Sequence, residues 1–259
     1  MKVDFIITRY NEFINWIEYL PESLNNIYVY NKGYNTFLTK GQNVKNSEKI
    51  ILMTLDNVGK SDHTIAHHII THWNELPDVC VFLPGSIMMN PEKGKYLGNI
   101  VKNIESIETR HKGFYSPRFK KVSTKYNFSK KEFNEKINRN VNNTEFIPSE
   151  WATFKDFKKA LIDDRPIHYI AFRGMFIVCK ENIKHISPEI YYNILKSTSV
   201  GENSENQMYV ERIWAHLFRQ YSFDNYENND NNNKITRILT KDEPNDSDNF
   251  QNIHNMELD

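Results

Sequence analysis

Residues 57–85, NVGKSDHTIAHHIITHWNELPDVCVFLPG, constrain the fold more than any other part of the chain. A polar glycine turn leads into a segment where Ile65, Ala66, Ile69, Ile70 and Trp73 recur on one face at about 100° per residue. Pro77-Asp78 stops that helix. Residues 79–83 then form a short, continuous apolar run closed by Pro84-Gly85. A strand with no polar alternation is buried on both faces, which is the condition of a parallel sheet covered by helices.

The rest of the chain repeats the pattern. Residues 3–8 form an apolar run, and Phe13, Ile14, Trp16, Ile17 and Leu20 follow at helical spacing before Pro21. Residues 26–30 and 49–55 are two further strands, ending at Asn31-Lys32-Gly33 and at Asp56-Asn57-Val58-Gly59. Ser61 is placed to cap the next helix. Strand–helix–strand order predicts an α/β fold, a mostly parallel Rossmann-like sheet with helices on both faces. Later helices are expected at 91–108, 151–162, 188–196 and 204–218, the last opening with Ser204 and Gln207 at capping-box spacing. A strand at 169–178 is broken by Arg173-Gly174.

Two stretches depart from this pattern. Residues 112–144 are polar and basic with scattered aromatics. They read as an insertion, a surface excursion with some helix near 130–138. From Asp224 the chain holds 9 acidic and 3 basic residues, leaving 24 acidic against 30 basic in the part before it. With a run of asparagines and little apolar periodicity, 224–259 reads as a mostly disordered acidic tail after a single domain, 1–223. The basic excess of the body is diffuse and carries no nucleic-acid-binding motif. The start MKVDFIITRYNE is not a signal peptide, and no run reaches about 18 apolar residues, so a cytoplasmic protein without a membrane span is expected. Cys80 and Cys179 lie in apolar runs and read as buried thiols.

Five groups of residues can carry chemistry. Arg9, Asn11 and Glu12 fall at the carboxyl end of the first strand, where ligands of open α/β sheets bind. They can hold a phosphate and a nucleoside, or serve as a helix cap and a surface ion pair. Asn57, Gly59 and Lys60 form a turn that feeds a helix N-terminus, a plausible anion cradle and equally an ordinary connection. It is not a P-loop, because position 54 is Thr where that motif has glycine. On the helix, His63/His67 and His68/His72 are i,i+4 pairs, a spacing that can chelate zinc. Neither pair encloses the Glu of HExxH. His63 is nearest the cradle. Arg173-Gly174 marks a bulge or the close approach of a ligand. Glu211, at the edge of the apolar stripe Val210, Ile213, Trp214 and Leu217, is a candidate general base or a structural partner of Arg173 or Arg212.

The segments ITRYNEFINWIEYL, IYVYNKG, 57–85, GMFIVCKENIKHISPEIYYNIL and ERIWAHLF together resemble an uncharacterised domain family of fungi and large DNA viruses. Through it they resemble glycosyltransferases of the GT-A fold. The resemblance covers about half the chain, 3–85 and 171–218. It implies sugar transfer from a nucleotide-activated donor to a hydroxyl acceptor on a glycan or protein. Arg9, Asn11, Glu12, Asn57, Gly59, Lys60 and His63 would then hold the donor. Arg173 and Gly174 would lie on the acceptor side, and Glu211 would be the catalytic base. The family pattern brings a divalent cation, Mn²⁺ or Mg²⁺, on an Asp-x-Asp after the fourth strand. This chain has Leu83-Pro84-Gly85-Ser86 there. The alternative is an inactive glycosyltransferase-like binding module.

Overall fold

The short apolar runs become sheet strands, and their burial explains why they lack polar alternation. A computed structural model describes residues 1–36, 38–39, 44–89, 91–109, 111–123, 125–128 and 146–219. These belong to one compact unit, Met1–Ser222. The expected tail, and the helix expected at 130–138, lie outside the described residues.

The strands are β1 (Val3–Arg9), β2 (Ile27–Asn31), β3 (Ile50–Thr54), β4 (Val79–Pro84), β5 (Phe114–Tyr115), β6 (Phe119–Lys121), β7 (Tyr169–Ala171) and β8 (Phe176–Cys179). Six of them form a sheet in the order β3-β2-β1-β4-β8-β5. β1 to β4 are mutually parallel, with Phe5 opposite Ile27 on one side and Val81 on the other. β8 runs antiparallel to β4, and β5 antiparallel to β8. The chain builds outward from β1 to β3, then crosses through α1 (Lys60–Thr71) to β4 on the other side of β1. That reversal makes a switch point between β1 and β4, and ligands of such sheets bind outside the carboxyl ends of the strands. The architecture is a mixed, mostly parallel, Rossmannoid α/β sheet with helices on both faces.

Strand alternation separates two cores. Ile6, Tyr30, Phe82 and Phe176 face α1 and the helices Phe154–Leu161, Pro188–Thr198 and Glu205–Glu211. Phe5, Ile7, Val29, Val81 and Ile177 face Trp16, Ile17 and α2 (Pro91–Asn103). Cys80 and Cys179 are both free and buried.

Several local expectations are corrected. The segment after β1 makes only a 3-10 turn, Asn15–Tyr19, because Pro21 leaves no room for a longer helix. α1 starts at Lys60, with Gly59 as its N-cap in the left-handed region, so Ser61 is not the cap. The stretch 169–178 forms two strands in two sheets, since the left-handed pair Arg173 (φ 69) and Gly174 (φ 57) turns the chain between them. Part of the expected insertion is core. β5 completes the main sheet, β6 pairs with β7, and Phe114 and Phe128 are buried. The last helix is interrupted at Arg212-Ile213 and resumes over 214–219. Its start is as the spacing predicted, with Ser204 Oγ accepting from the Gln207 amide at 3.4 Å.

Candidate functional site

The start of α1 is a strained turn with an internal brace. Gly59 (φ 56) and Lys60 (φ 46) are both left-handed. The Gly59 amide donates to the Gly201 carbonyl at 2.8 Å. A Cβ at Gly59 would run into the carbonyl oxygen of Thr198, so the residue must be glycine on two counts. Beneath the turn, Lys32 is buried and its Nζ donates to the carbonyls of Val58 (2.5 Å) and Lys60 (2.8 Å). Burial pulls the Lys32 ammonium down to about 8, against the opposing charges of Asp62 and Asp56. Lys32 thus satisfies carbonyls that the left-handed turn turns inward.

The opposite wall is the Arg173-Gly174 turn. A Cβ on Gly174 would lie 2.8 Å from Ser61 Cβ, so this turn rests directly on the first turn of α1. Glu211 holds it there. Its Oε1 accepts from the Arg173 amide at 2.7 Å, and Oε2 lies 3.5 Å from Arg212 Nη1. Arg212 is fixed in turn, donating to the Met208 carbonyl (2.6 Å) and Tyr126 Oη (3.2 Å) and stacking 3.9 Å from the centre of the Phe128 ring. Trp214 Nε1 donates to Asp62 Oδ1 at 2.7 Å, tying the helix after Glu211 to α1. With the Gln207 amide oriented to suit both neighbours, its oxygen accepts from Lys60 Nζ at 3.0 Å.

Between these walls lies a cavity of about 400 Å³. It is on the carboxyl side of the parallel strands, because α1 begins just past β3 and the Arg173-Gly174 turn precedes Phe176, the partner of Phe82 in β4. Lys60, Arg118, Arg173 and Arg212 bring four cations to its lining, against the two carboxyl groups of Asp62 and Glu211. Phe128 and Phe172 supply apolar surface. The guanidinium of Arg173 is exposed and has no partner among the described residues. An anion with apolar or aromatic neighbours suits such a lining.

Of the residues singled out in the sequence, Lys60, Arg173, Gly174 and Glu211 meet in this cavity. Gly59 shapes its edge, and Asn57 sits in the turn before it without lining it. Arg9, Asn11 and Glu12 are elsewhere engaged. Arg9 is fully buried, and its guanidinium donates to the carbonyls of Glu12 (2.6 Å) and Asn35 and to the side chain of Asn31. Glu12 Oε2 accepts from the amides of Tyr10 (2.7 Å) and Asn11 (3.1 Å), and Asn11 Oδ1 accepts from the Asn35 amide at 2.9 Å. These three close the loop after β1 onto the loop after β2, and Arg9, buried there, does not line this cavity.

His63 is also absent from the lining. It is buried along α1, and burial together with the Lys32 charge brings it down to about 4. The four histidines make a chain of ring contacts with two strand tyrosines. Tyr30 meets His67 and His68, while Tyr28 meets His68 and His72. Tyr30 Oη bonds His68 Nδ1 at 2.9 Å. Asp62 in the lining and Lys32 beneath the turn are positions that pattern reading missed. In the sequence Asp62 looks like an ordinary first-turn acid and Lys32 like a turn residue.

Among the described residues, no group of three or more His, Cys, Asp or Glu side chains is placed to hold a metal ion. Mn²⁺ and Mg²⁺ ask for several hard oxygens. At the end of β4 the Gly85 carbonyl instead accepts from Trp16 Nε1 at 3.0 Å. The cavity offers two carboxyl groups, each already hydrogen-bonded. Among the described residues no ligand set for such a cation is assembled.

Fold and cavity define a Rossmannoid α/β protein with a cation-rich cleft beyond its strand ends. No protein-family model matches the chain, and no curated protein matches it. Among the described residues no helix is long and apolar enough to cross a membrane.

Proposed function

We propose that the protein is a glycosyltransferase-like enzyme of GT-A type, taking a nucleotide-activated sugar and a hydroxyl acceptor into this cavity. The observation that carries this reading is Glu211. Its carboxylate lies in a cleft with four cations and is aimed by the Arg173 amide. The bond from the anomeric carbon to the diphosphate oxygen breaks, and a bond from the acceptor oxygen forms. The acceptor proton passes to Glu211, and the negative charge arriving on the diphosphate is met by Lys60 and the free guanidinium of Arg173. Arg212, held by Met208, Tyr126 and Phe128, positions Glu211.

Calorimetry with UDP, GDP and their sugars, with and without Mn²⁺, tests the donor site. Binding of at least one is expected, and binding of none sinks the assignment. A second reading, an inactive binding module, is favoured by the bond from Glu211 to the Arg173 backbone, which is also what a purely structural brace would make. Slow hydrolysis of a sugar nucleotide that disappears in a folded Glu211→Gln variant rules that second reading out.

A further inference from the structure

The cavity holds a second carboxyl group that this chemistry leaves unused. Asp62 sits in the first turn of α1 and is 5% exposed. Its Oδ1 accepts from Trp214 Nε1, and its other oxygen has no hydrogen-bond partner among the described residues, although the residue lines the cavity.

The groups around it pull in opposite directions. Burial disfavours a charged Asp62, and the carboxylate of Glu211 adds to that. The Trp214 N–H and the ammonium groups of Lys60 and Lys32 act against them. Both lysines have other partners, Gln207 for Lys60 and two carbonyls for Lys32. Arg212 and the Arg173 amide are directed at Glu211. His63, the next residue on α1, is brought down by burial and adds no charge near neutrality. Burial prevails, and the Asp62 carboxyl is pushed up to about 8.

We propose that Asp62 works in this cavity as a carboxylic acid, its free oxygen donating an O–H hydrogen bond to a phosphoryl oxygen of an anionic ligand beside Lys60 and Arg173. An ionised Asp62 would repel that oxygen, whereas the neutral acid adds a donor among the cations. The cavity then prefers fully ionised oxyanions whose oxygens only accept, such as a phosphate diester. This rests on the anionic-ligand part of the function proposed above and not on sugar transfer.

Two measurements on the full chain test it. In ¹³C-carboxyl aspartate-labelled protein, the resonance lost in Asp62→Asn should titrate near 8, and a midpoint below about 5 overturns the proposal. Inorganic sulfate and UDP-glucose, both without a phosphate or sulfate proton to lose in this range, are then titrated calorimetrically at pH 6.5 and 9. Wild-type affinity for sulfate should fall about tenfold at the higher pH. Asp62→Asn, whose amide can still donate, should stay within about threefold of wild type at pH 6.5 and lose the pH dependence. Dependence that survives in Asp62→Asn belongs to Lys32 and overturns the proposal, as does pH-independent binding or no sulfate binding at pH 6.5. If sulfate behaves as expected while UDP-glucose does not bind, the role of Asp62 stands and the sugar-nucleotide reading falls.

Discussion

The side chain of Glu211 accepts a 2.7 Å hydrogen bond from the backbone amide of Arg173, 38 residues earlier in the chain. One carboxylate therefore fixes the left-handed turn that forms a wall of the cavity while its other oxygen stays beside Arg212. A substitution has to separate this bracing role from the base role proposed for Glu211.

Glu211→Gln keeps a carbonyl oxygen for the Arg173 amide and removes the base. Its melting temperature should stay within about 3 °C of wild type, roughly 1 kcal/mol for a unit of this size. Turnover of any accepted sugar nucleotide should drop by about 100-fold or more. Glu211→Ala loses both roles and should melt clearly lower. Differential scanning calorimetry with a product assay separates the two, and unchanged turnover in a folded Gln variant would remove Glu211 from catalysis.

Arg173 holds a backbone conformation that costs a side-chain-bearing residue about 1–2 kcal/mol. Arg173→Gly releases that strain at an unfolded-state entropy cost of about 0.5–1 kcal/mol. Denaturant unfolding should show stability unchanged or raised by up to about 1 kcal/mol. Affinity for a diphosphate ligand should fall about tenfold with the guanidinium gone. A variant that binds as wild type does would show that strain at this turn serves no ligand.

Asp62 sets a pH dependence of definite sign. Its folded value of about 8 lies above the unshifted 3.8, so the folded state holds a proton that the unfolded state has lost, and its contribution to stability falls as pH rises through that window. Asp62→Asn removes this cost. The gain should be small at pH 4 and reach between about 1 and 4 kcal/mol at pH 7, at about 1.4 kcal/mol per unit. Equal gains at both pH values in urea melts would contradict it.

The histidines act with the opposite sign. Burial lowers His63, His67, His68 and His72 in the folded state. Their contribution is therefore complete above about pH 6.5 and is lost as pH falls through the lowered values. His63 alone, brought down to about 4, accounts for roughly 2 kcal/mol at pH 5. Because Asp62 opposes this in the same range, the measurement belongs in the Asp62→Asn background. Unfolding free energy there should drop by about 2 kcal/mol or more between pH 6.5 and 5, and a flat profile would mean the rings already accept protons in the fold.

The four parallel strands, α1 and the turn at Gly59 are legible in the sequence within a residue or two, since an apolar run, a helical stripe and a glycine are local signals. Lys60, Arg173, Gly174 and Glu211 each stand out by local context, but only the structure brings them to one cavity. The cap at Ser61 was misplaced because a left-handed start puts Lys60 inside the helix, and φ cannot be read from residue type at a lysine.

Pattern and composition by themselves determined the Rossmannoid class, because burial of continuous apolar runs on both faces leaves few other arrangements. Only the tertiary structure decided that β8 enters the main sheet antiparallel to β4 while β7 joins another. It alone turned Arg9 inward onto backbone carbonyls, and it brought Trp214 to Asp62 across 152 residues. The reason is physical. A backbone preference belongs to a few neighbouring residues, whereas the partner of a buried polar group and its desolvation depend on everything packed around it.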